Sequence, residues 1–189
     1  MSAQDSKLFV ISGPSGAGKG TLVTRVRERR SNLGLTVSAT TRAPRKGEVD
    51  GVNYFFLTRE EFDRRVANGE FVEWAEVHGN CYGTLVSEVQ SKLASGASLI
   101  LEIDVQGALQ VKARFPEAVL IFIKPPSLEV LRERLVGRGT ETPETIELRM
   151  ANAADELALA DRYDDVVVND DLDRATDELV RVLDMHERI

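Results

Sequence analysis

The chain has 189 residues, of which 42% are hydrophobic and 29% are charged, so it is long and apolar enough to bury one substantial core. Its formal net charge of −7 argues against nucleic acid or an anionic membrane as a partner, because both bind broad basic surfaces. With one cysteine, no signal-peptide pattern and no apolar run near the ~18 residues of a membrane span, the sequence predicts a cytoplasmic protein without an intrachain disulfide.

The first predicted elements are a strand at residues 7–12, a tight loop and a helix at residues 18–30. The loop, GPSGAGK, matches the phosphate-loop pattern G-x-x-x-x-G-K in the strand–helix context that this pattern requires. Its glycines let backbone N–H groups turn toward one anion, and Lys19 adds an ammonium for the β- and γ-phosphates. The alternative is a Gly-rich turn that binds nothing. The ATP-binding residues predicted here are Gly13, Pro14, Ser15, Gly16, Ala17, Gly18, Lys19, Gly20 and Thr21.

Gly20 departs from the phosphate-loop pattern, which has a serine or threonine at this position to place a hydroxyl on magnesium. Thr21, one residue later, is a candidate metal ligand in its place. Alternatively, the Mg²⁺ that accompanies ATP is held mainly by nucleotide phosphates and water. No tightly bound prosthetic group is expected.

In residues 36–89 the long elements give way to short runs of alternating apolar and polar residues and one short helix. This pattern predicts a small α/β insertion. Thr58 and Glu61 form a capping box that would start the helix. Arg42 and Arg45 could hold one phosphate between them. Other polar side chains of the insertion supply hydroxyls and a carboxylate: Ser38, Tyr54, Glu73, Tyr82 and Thr84. Taken singly, each has a simpler explanation as a surface, core-edge or capping residue.

In the rest of the chain, predicted strands alternate with predicted helices, and this alternation predicts a doubly wound α/β core. Its apolar runs are typical of parallel strands covered on both faces and lie at residues 98–103, 118–123 and 165–168. Helical patterns lie at residues 105–115, 128–138, 143–161 and 172–186. Thr142 and Pro143 have the residue types of an N-cap and a first helical position. The polar, Gly-containing segment before them, GRGTETP, predicts a mobile flap.

Charged and polar residues of the core stand at positions where α/β proteins bind ligands. Glu102 and Asp104 come at the carboxyl end of a predicted strand. Neighbouring cations could equally satisfy both carboxylates. Arg134, Arg138 and Arg149 flank or occupy the flap, and each alone is more simply a helix-surface arginine. Asn169 directly follows the last strand and by itself would be a turn or capping residue.

Together with the phosphate loop, five segments resemble signatures of the guanylate kinase family in order and spacing. They are VSATTRAPRKGEVDGVNYFF, FVEWAEVHGNCYGT, LEIDVQGA, RLVGRGTE and VVVND. The resemblance implies a P-loop three-layer α/β/α core with a parallel sheet at residues 1–35 and 90–189. It also implies a GMP-binding insertion at residues 36–89 and a lid at about residues 137–145. The implied activity is Mg-dependent, in-line phosphoryl transfer from ATP to GMP in purine nucleotide metabolism, and use of dGMP stays open.

The same resemblance implies roles for individual residues. The GMP phosphate would be held by Arg42, Arg45, Tyr54 and Tyr82, and guanine by Ser38, Glu73 and Thr84. Asp104 would act near magnesium-bound water and the guanine site, and Asn169 near the adenine of ATP. The catalytic set would be Lys19, Arg134, Arg138 and Arg149. A Glu73 carboxylate can accept from guanine N1–H and its 2-amino group, which adenine lacks, so AMP would leave it unpaired.

Two alternatives remain at this point. One is a kinase for another nucleoside monophosphate or small phosphate acceptor. The other is a non-catalytic guanylate-kinase-like binding module, which the intact phosphate loop with Lys19 disfavours.

Overall fold

The structure is a computed structural model, and it describes residues 6–77, 79–137, 139 and 142–188. The strands are β1 (Leu8–Ser12), β2 (Gly34–Leu35), β3 (Ala39–Thr40), β4 (Phe55–Phe56), β5 (Phe71–Val77), β6 (Asn80–Leu85), β7 (Leu99–Glu102), β8 (Val119–Lys124) and β9 (Asp165–Val168). The helices are α1 (Lys19–Arg29), α2 (Arg59–Ala67), α3 (Val86–Ala94), α4 (Val105–Arg114), α5 (Leu128–Gly137), α6 (Pro143–Leu157) and α7 (Leu172–Glu187), with a 3₁₀ turn at Ala160–Arg162.

Five strands form a parallel sheet in the order β2-β7-β1-β8-β9, with helices on both faces. Phe9 and Ile11 of β1 join a core cluster with residues of α1 and α7. Leu8 and Val10, which alternate with them, join a second cluster with residues of α3 and α4. The continuous apolar runs of the sequence therefore serve two layers of helices at once, and the predicted α/β/α fold is confirmed.

β1 is the central strand, and its neighbours β7 and β8 lie on opposite sides of it. The chain therefore leaves β1 in one direction and later crosses to the other side. Such a switch point opens a crevice at the carboxyl ends of the strands, where α/β proteins place ligands. The phosphate-loop segment begins at this end of β1, directly after Ser12.

A second, four-stranded sheet lies between α1 and α3 in sequence, in the order β4-β3-β6-β5. Its apolar side packs on Phe62 of α2, against which Phe71 stacks at 4.3 Å between ring centroids. Trp74 contacts the same ring edge-on at 6.3 Å. A β-bulge between Phe71 and Glu73 places residues 71 and 74, rather than 71 and 73, on this side. Glu73 consequently points away from the aromatic cluster.

Two predicted helix features differ from the structure. The helix predicted for residues 143–161 ends at Leu157, because the chain tightens into a 3₁₀ turn and packs Leu159 against the core before β9. In the capping box, the Thr58 hydroxyl accepts from the Glu61 N–H as expected. The Glu61 carboxylate instead accepts from Arg65 at 2.7 Å, so only half of the box forms. The N-cap at Thr142 and the first-turn Pro143 are confirmed.

Among the helices of residues 6–77, 79–137 and 142–188, none is both long enough and apolar enough to cross a membrane.

Candidate active site

The phosphate loop curls between β1 and α1 with three glycines at positive φ. Gly13 has φ 141°, and a Cβ there would lie 2.3 Å from the carbonyl oxygen of Ile123. Gly18 has φ 90° and caps the N-terminus of α1 without a side chain. These two positions require glycine, and a loop of this kind that leads into a helix N-terminus can direct backbone N–H groups at one anion. The Lys19 ammonium reaches back across the loop and donates to the carbonyl oxygens of Gly13 and Pro14, the latter at 3.1 Å.

Two predicted arginines and Asn169 lie against this loop. Arg149 on α6 donates to the Ser15 hydroxyl. Arg134 on α5 donates to the backbone oxygen of Asn169 at 2.8 Å. The Asn169 side chain, which is buried, donates to the Ala17 carbonyl at 2.8 Å. Arg138, the remaining predicted arginine of the flap, lies outside the described residues.

Thr21 and Gly20 face different cavities. Thr21 lines a 370 Å³ cavity with Arg134 and Asn169. Gly20 lines a 380 Å³ cleft between α1 and the second sheet, where a Cβ would lie 3.3 Å from Glu102 Oε1. The loop position without a side chain therefore faces the carboxylate at the end of β7.

The cleft brings together residues that the sequence predicted for a second substrate. Ser38, Tyr54 and Thr84 line it on the side of the second sheet, and Glu102 lines it on the side of the parallel sheet. Its volume is in the range of small-molecule binding sites. Gly20 lies in the first turn of α1, directly after the phosphate loop, so an acceptor in this cleft would lie close to that loop.

Glu73 is a half-buried carboxylate fixed by Thr84, whose hydroxyl donates to Glu73 Oε1 at 2.8 Å. Burial raises the pKa of Glu73, and the charge of Asp104 adds to this shift while the hydrogen bond from Thr84 opposes it. A Cβ at Gly107 would lie 3.5 Å from Glu73 Oε2 and 3.3 Å from Asp104 Oδ1. The two carboxylates therefore converge at the first turn of α4. The Thr84 hydroxyl donates its hydrogen bond to Glu73, so it does not donate to a nucleotide base.

Asp104 and Glu102 have different surroundings. Asp104 caps α4, where its carboxylate accepts from the Gly107 N–H at 2.7 Å. Burial raises the pKa of Glu102, against which the positive charge of Lys19 acts. Within the part of the chain that the structure describes, no group of three or more His, Cys, Asp or Glu side chains could hold a metal ion.

Arg42 is held by a residue that sequence reasoning missed, Glu48. The Arg42 guanidinium donates to both oxygens of Glu48, at 2.8 and 3.0 Å, and lies 5.4 Å from the centroid of the Tyr54 ring. Glu48 also accepts from the Arg45 backbone N–H at 2.6 Å. The hydrogen bond with Glu48 raises the pKa of Arg42, with a smaller contribution from Tyr82, and Arg42 lowers the pKa of Glu48.

Glu48 thus closes a ring of contacts from the Arg42 side chain to the Arg45 backbone. The only signal for it in the sequence is spacing, since an acid follows the two arginines by the same three-residue step that separates them.

Known proteins are similar to this chain over nearly its whole length. A sequence model of the family "Guanylate kinase" matches residues 5–186. A guanylate kinase of Gloeobacter violaceus is 57% identical over 178 residues, which cover 94% of this chain and 87% of that protein. One of Halalkalibacterium halodurans is 51% identical over 97% of this chain and 90% of that protein. The crystal structure of guanylate kinase from Anaplasma phagocytophilum superposes with a TM-score of 0.72 at 36% identity, covering 96% of this chain and 86% of that one.

Proposed function

Since this chain belongs to the guanylate kinase family and is a nucleoside monophosphate kinase that transfers a phosphoryl group from ATP to GMP, we propose which of its residues carry out each part of the transfer. The observation that carries the assignment is the half-buried Glu73 carboxylate, oriented by Thr84 beside the cleft. Guanine N1–H and the 2-amino group are two donors that this carboxylate can accept at once. Ser38 lines the same cleft and supplies a hydroxyl for O6.

The phosphate of GMP binds at the outer end of the cleft, to Arg42, Arg45, Tyr54 and Tyr82. The support is the contact between the Tyr54 and Tyr82 rings, whose centroids lie 6.2 Å apart, and the position of Arg42 beside Tyr54. Two guanidinium groups and two phenols match the acceptor-rich phosphate group. Residues 36–89 are proposed to move as the GMP-binding unit and to close over the bound nucleotide.

The triphosphate of ATP binds in the phosphate loop, residues 13–21, with Lys19 on the β- and γ-phosphates. Arg134 and Arg149 already contact the loop or its neighbour Asn169, which supports a role for both in neutralising the transferring group. Arg138 is proposed as a third cation of a lid at about residues 137–145.

Magnesium would bind on the acceptor side of this site, held by nucleotide phosphates and water molecules. The support is chemical: Glu102 and Asp104 present hard oxygen atoms near the cleft, and Thr21 lines the other cavity. When bound, the ion neutralises phosphate charge. The side chains of the chain supply the rest: position and positive potential, with no catalytic base, because the attacking oxygen of GMP is already ionised.

Coupled assay of ADP release tests the proposed acceptor. The purified protein with ATP and magnesium is given GMP, dGMP, AMP and dTMP in parallel. The proposal expects turnover with GMP and a kcat/KM at least about a hundredfold lower with AMP. Turnover with dGMP is expected if the protein makes no hydrogen bond to the ribose 2′-hydroxyl of GMP. Equal turnover of GMP and AMP would contradict the role given to Glu73.

Glu48→Gln is expected to raise the KM for GMP about tenfold with little change in the KM for ATP, because the amide keeps one of the two acceptor oxygens for Arg42 and loses the negative charge that pairs with it. Steady-state kinetics with each substrate varied in turn measures the split. Glu76→Gln is the matched control, since Glu76 pairs with Arg59 on an exposed part of the same insertion. If the two variants behave alike, Glu48 does not organise the phosphate site.

A further inference from the structure

Asn169 connects three elements of the site through separate atoms. Its backbone N–H donates to the carbonyl of Lys124 at the end of β8. Its backbone oxygen accepts from Arg134, and its side-chain amide donates to the Ala17 carbonyl. The residue is 5% exposed, so these bonds form largely away from water.

The bond to Ala17 bears directly on the direction of a neighbouring N–H. In a trans peptide the carbonyl of one residue and the N–H of the next share a plane and point in opposite directions. The Asn169 amide anchors the Ala17 carbonyl, so the Gly18 N–H of the same peptide is held pointing away from Asn169. That N–H belongs to the curled phosphate-loop segment proposed to bind the phosphates of ATP.

The shape of Gly18 fits the same arrangement. Gly18 has φ 90°, and a Cβ built on it would lie 2.4 Å from Asn169 Nδ2. The side-chain amide therefore occupies the space that a larger residue at position 18 would fill. Gly18 is needed for its backbone conformation and also to admit Asn169.

We propose that Asn169 is a positioning residue that preorganises the phosphate loop for any polyphosphate and holds Arg134 beside it, in addition to any contact with the base of ATP. This inference rests on the proposed ATP site. A loop without the amide would have to fix the Ala17–Gly18 peptide on binding, and the ordering would weaken polyphosphate affinity. The acceptor cleft shares none of these contacts.

The test separates loop positioning from base recognition. Asn169→Ala and Asn169→Leu remove the donor, and leucine also fills the space that the amide leaves. Calorimetry measures the binding of magnesium ADP and of magnesium tripolyphosphate, which has no base, to the free protein. Steady-state kinetics measures the KM for ATP and for GMP. Thr176→Val is the control, because Thr176 is a buried residue whose hydroxyl donates to the Leu172 carbonyl within α7.

The expected result is a loss of about tenfold or more in affinity for both ADP and tripolyphosphate, with the KM for GMP within about twofold of wild type. Unchanged tripolyphosphate binding with weakened ADP binding would overturn the inference, because Asn169 would then recognise only the base. Equal rises in both KM values would also overturn it, as a general loss of structure. Wild-type protein that binds tripolyphosphate but shows no GMP-dependent ADP release would refute the proposed function and leave the loop comparison intact.

Discussion

Lys19→Met is expected to lower kcat about a thousandfold while leaving the protein folded, because it removes a mobile cation from the transferring phosphoryl group. The loop glycines and the N-terminus of α1 remain, so ATP still binds, although more weakly. In the structure the ammonium spans the loop by bonds to the carbonyls of Gly13 and Pro14. A methionine side chain has a similar length and no charge, so the change isolates electrostatics from packing.

Single-turnover measurement with saturating ATP separates the chemical step from binding. The matched control is Lys92→Met, since Lys92 pairs with Glu88 on the surface of α3, far in sequence from the loop. The control should retain wild-type kcat. A Lys19→Met protein within tenfold of wild type would mean that the arginines and magnesium alone stabilise the transition state.

Glu73→Gln is expected to lower kcat/KM for GMP by about 10²–10³ and to shrink the preference for GMP over AMP by a similar factor. The carboxylate can accept two hydrogen bonds from guanine, each of them charge-assisted, whereas the amide presents one acceptor and one donor group. Kinetics with both nucleotides measures the ratio. Thr84→Val tests the orienting contact separately, since it removes the 2.8 Å hydrogen bond but keeps the carboxylate. Unchanged discrimination in Glu73→Gln would show that the base is recognised elsewhere.

The raised pKa of Glu73 predicts how the activity of the wild-type enzyme with GMP depends on pH. As pH falls through this raised pKa, the carboxylate becomes protonated and can no longer accept both guanine hydrogen bonds. Wild-type kcat/KM for GMP should therefore decline at a higher pH than the ordinary pKa of a glutamate would give. The part of the decline due to Glu73 should be absent in Glu73→Gln, measured on the same substrate so that the titration of GMP itself cancels.

The stability of the fold depends on pH in the opposite direction from activity. A carboxylate with a folded-state pKa above its unfolded value binds more protons in the native state, so stability falls as pH rises through that window. At neutral pH, Glu73→Gln should raise the Tm of the free protein relative to wild type, and the difference should vanish at acid pH. The binding site and the stability of the fold therefore make opposing demands on this position.

Much of the fold and part of the site could be predicted from sequence because their signals are local or periodic. The phosphate loop carries its own glycines, and each strand of the parallel sheet is a continuous apolar run, since helices cover both faces. The resemblance to one family, from the residues around Arg42 to those around Asn169, indicated the activity that relatives of 50–57% identity now support.

The remainder depended on contacts that no period encodes. Glu48 meets Arg42 only because the loop between them turns, and Thr84 turns its hydroxyl to Glu73 only because β5 and β6 pair in one register. The orientation of Thr21 follows from the rotation of α1 about its axis. The end of α6 depends on how Leu159 packs. Each of these is set by tertiary structure rather than by the residues next to it in the chain.

The bulge in β5 has a consequence for how base recognition is encoded. Side chains of a strand alternate strictly between two faces, and an inserted residue reverses which of them fall on each. Val72 is that inserted residue in the pairing of β5 with β6. If the same residues ran without the bulge, strict alternation would put Glu73 on the side of Phe71, in the aromatic cluster, and would turn the indole of Trp74 outward. The proposed recognition of guanine by Glu73 therefore depends on one irregular pairing in a short strand as much as on the identity of its residues.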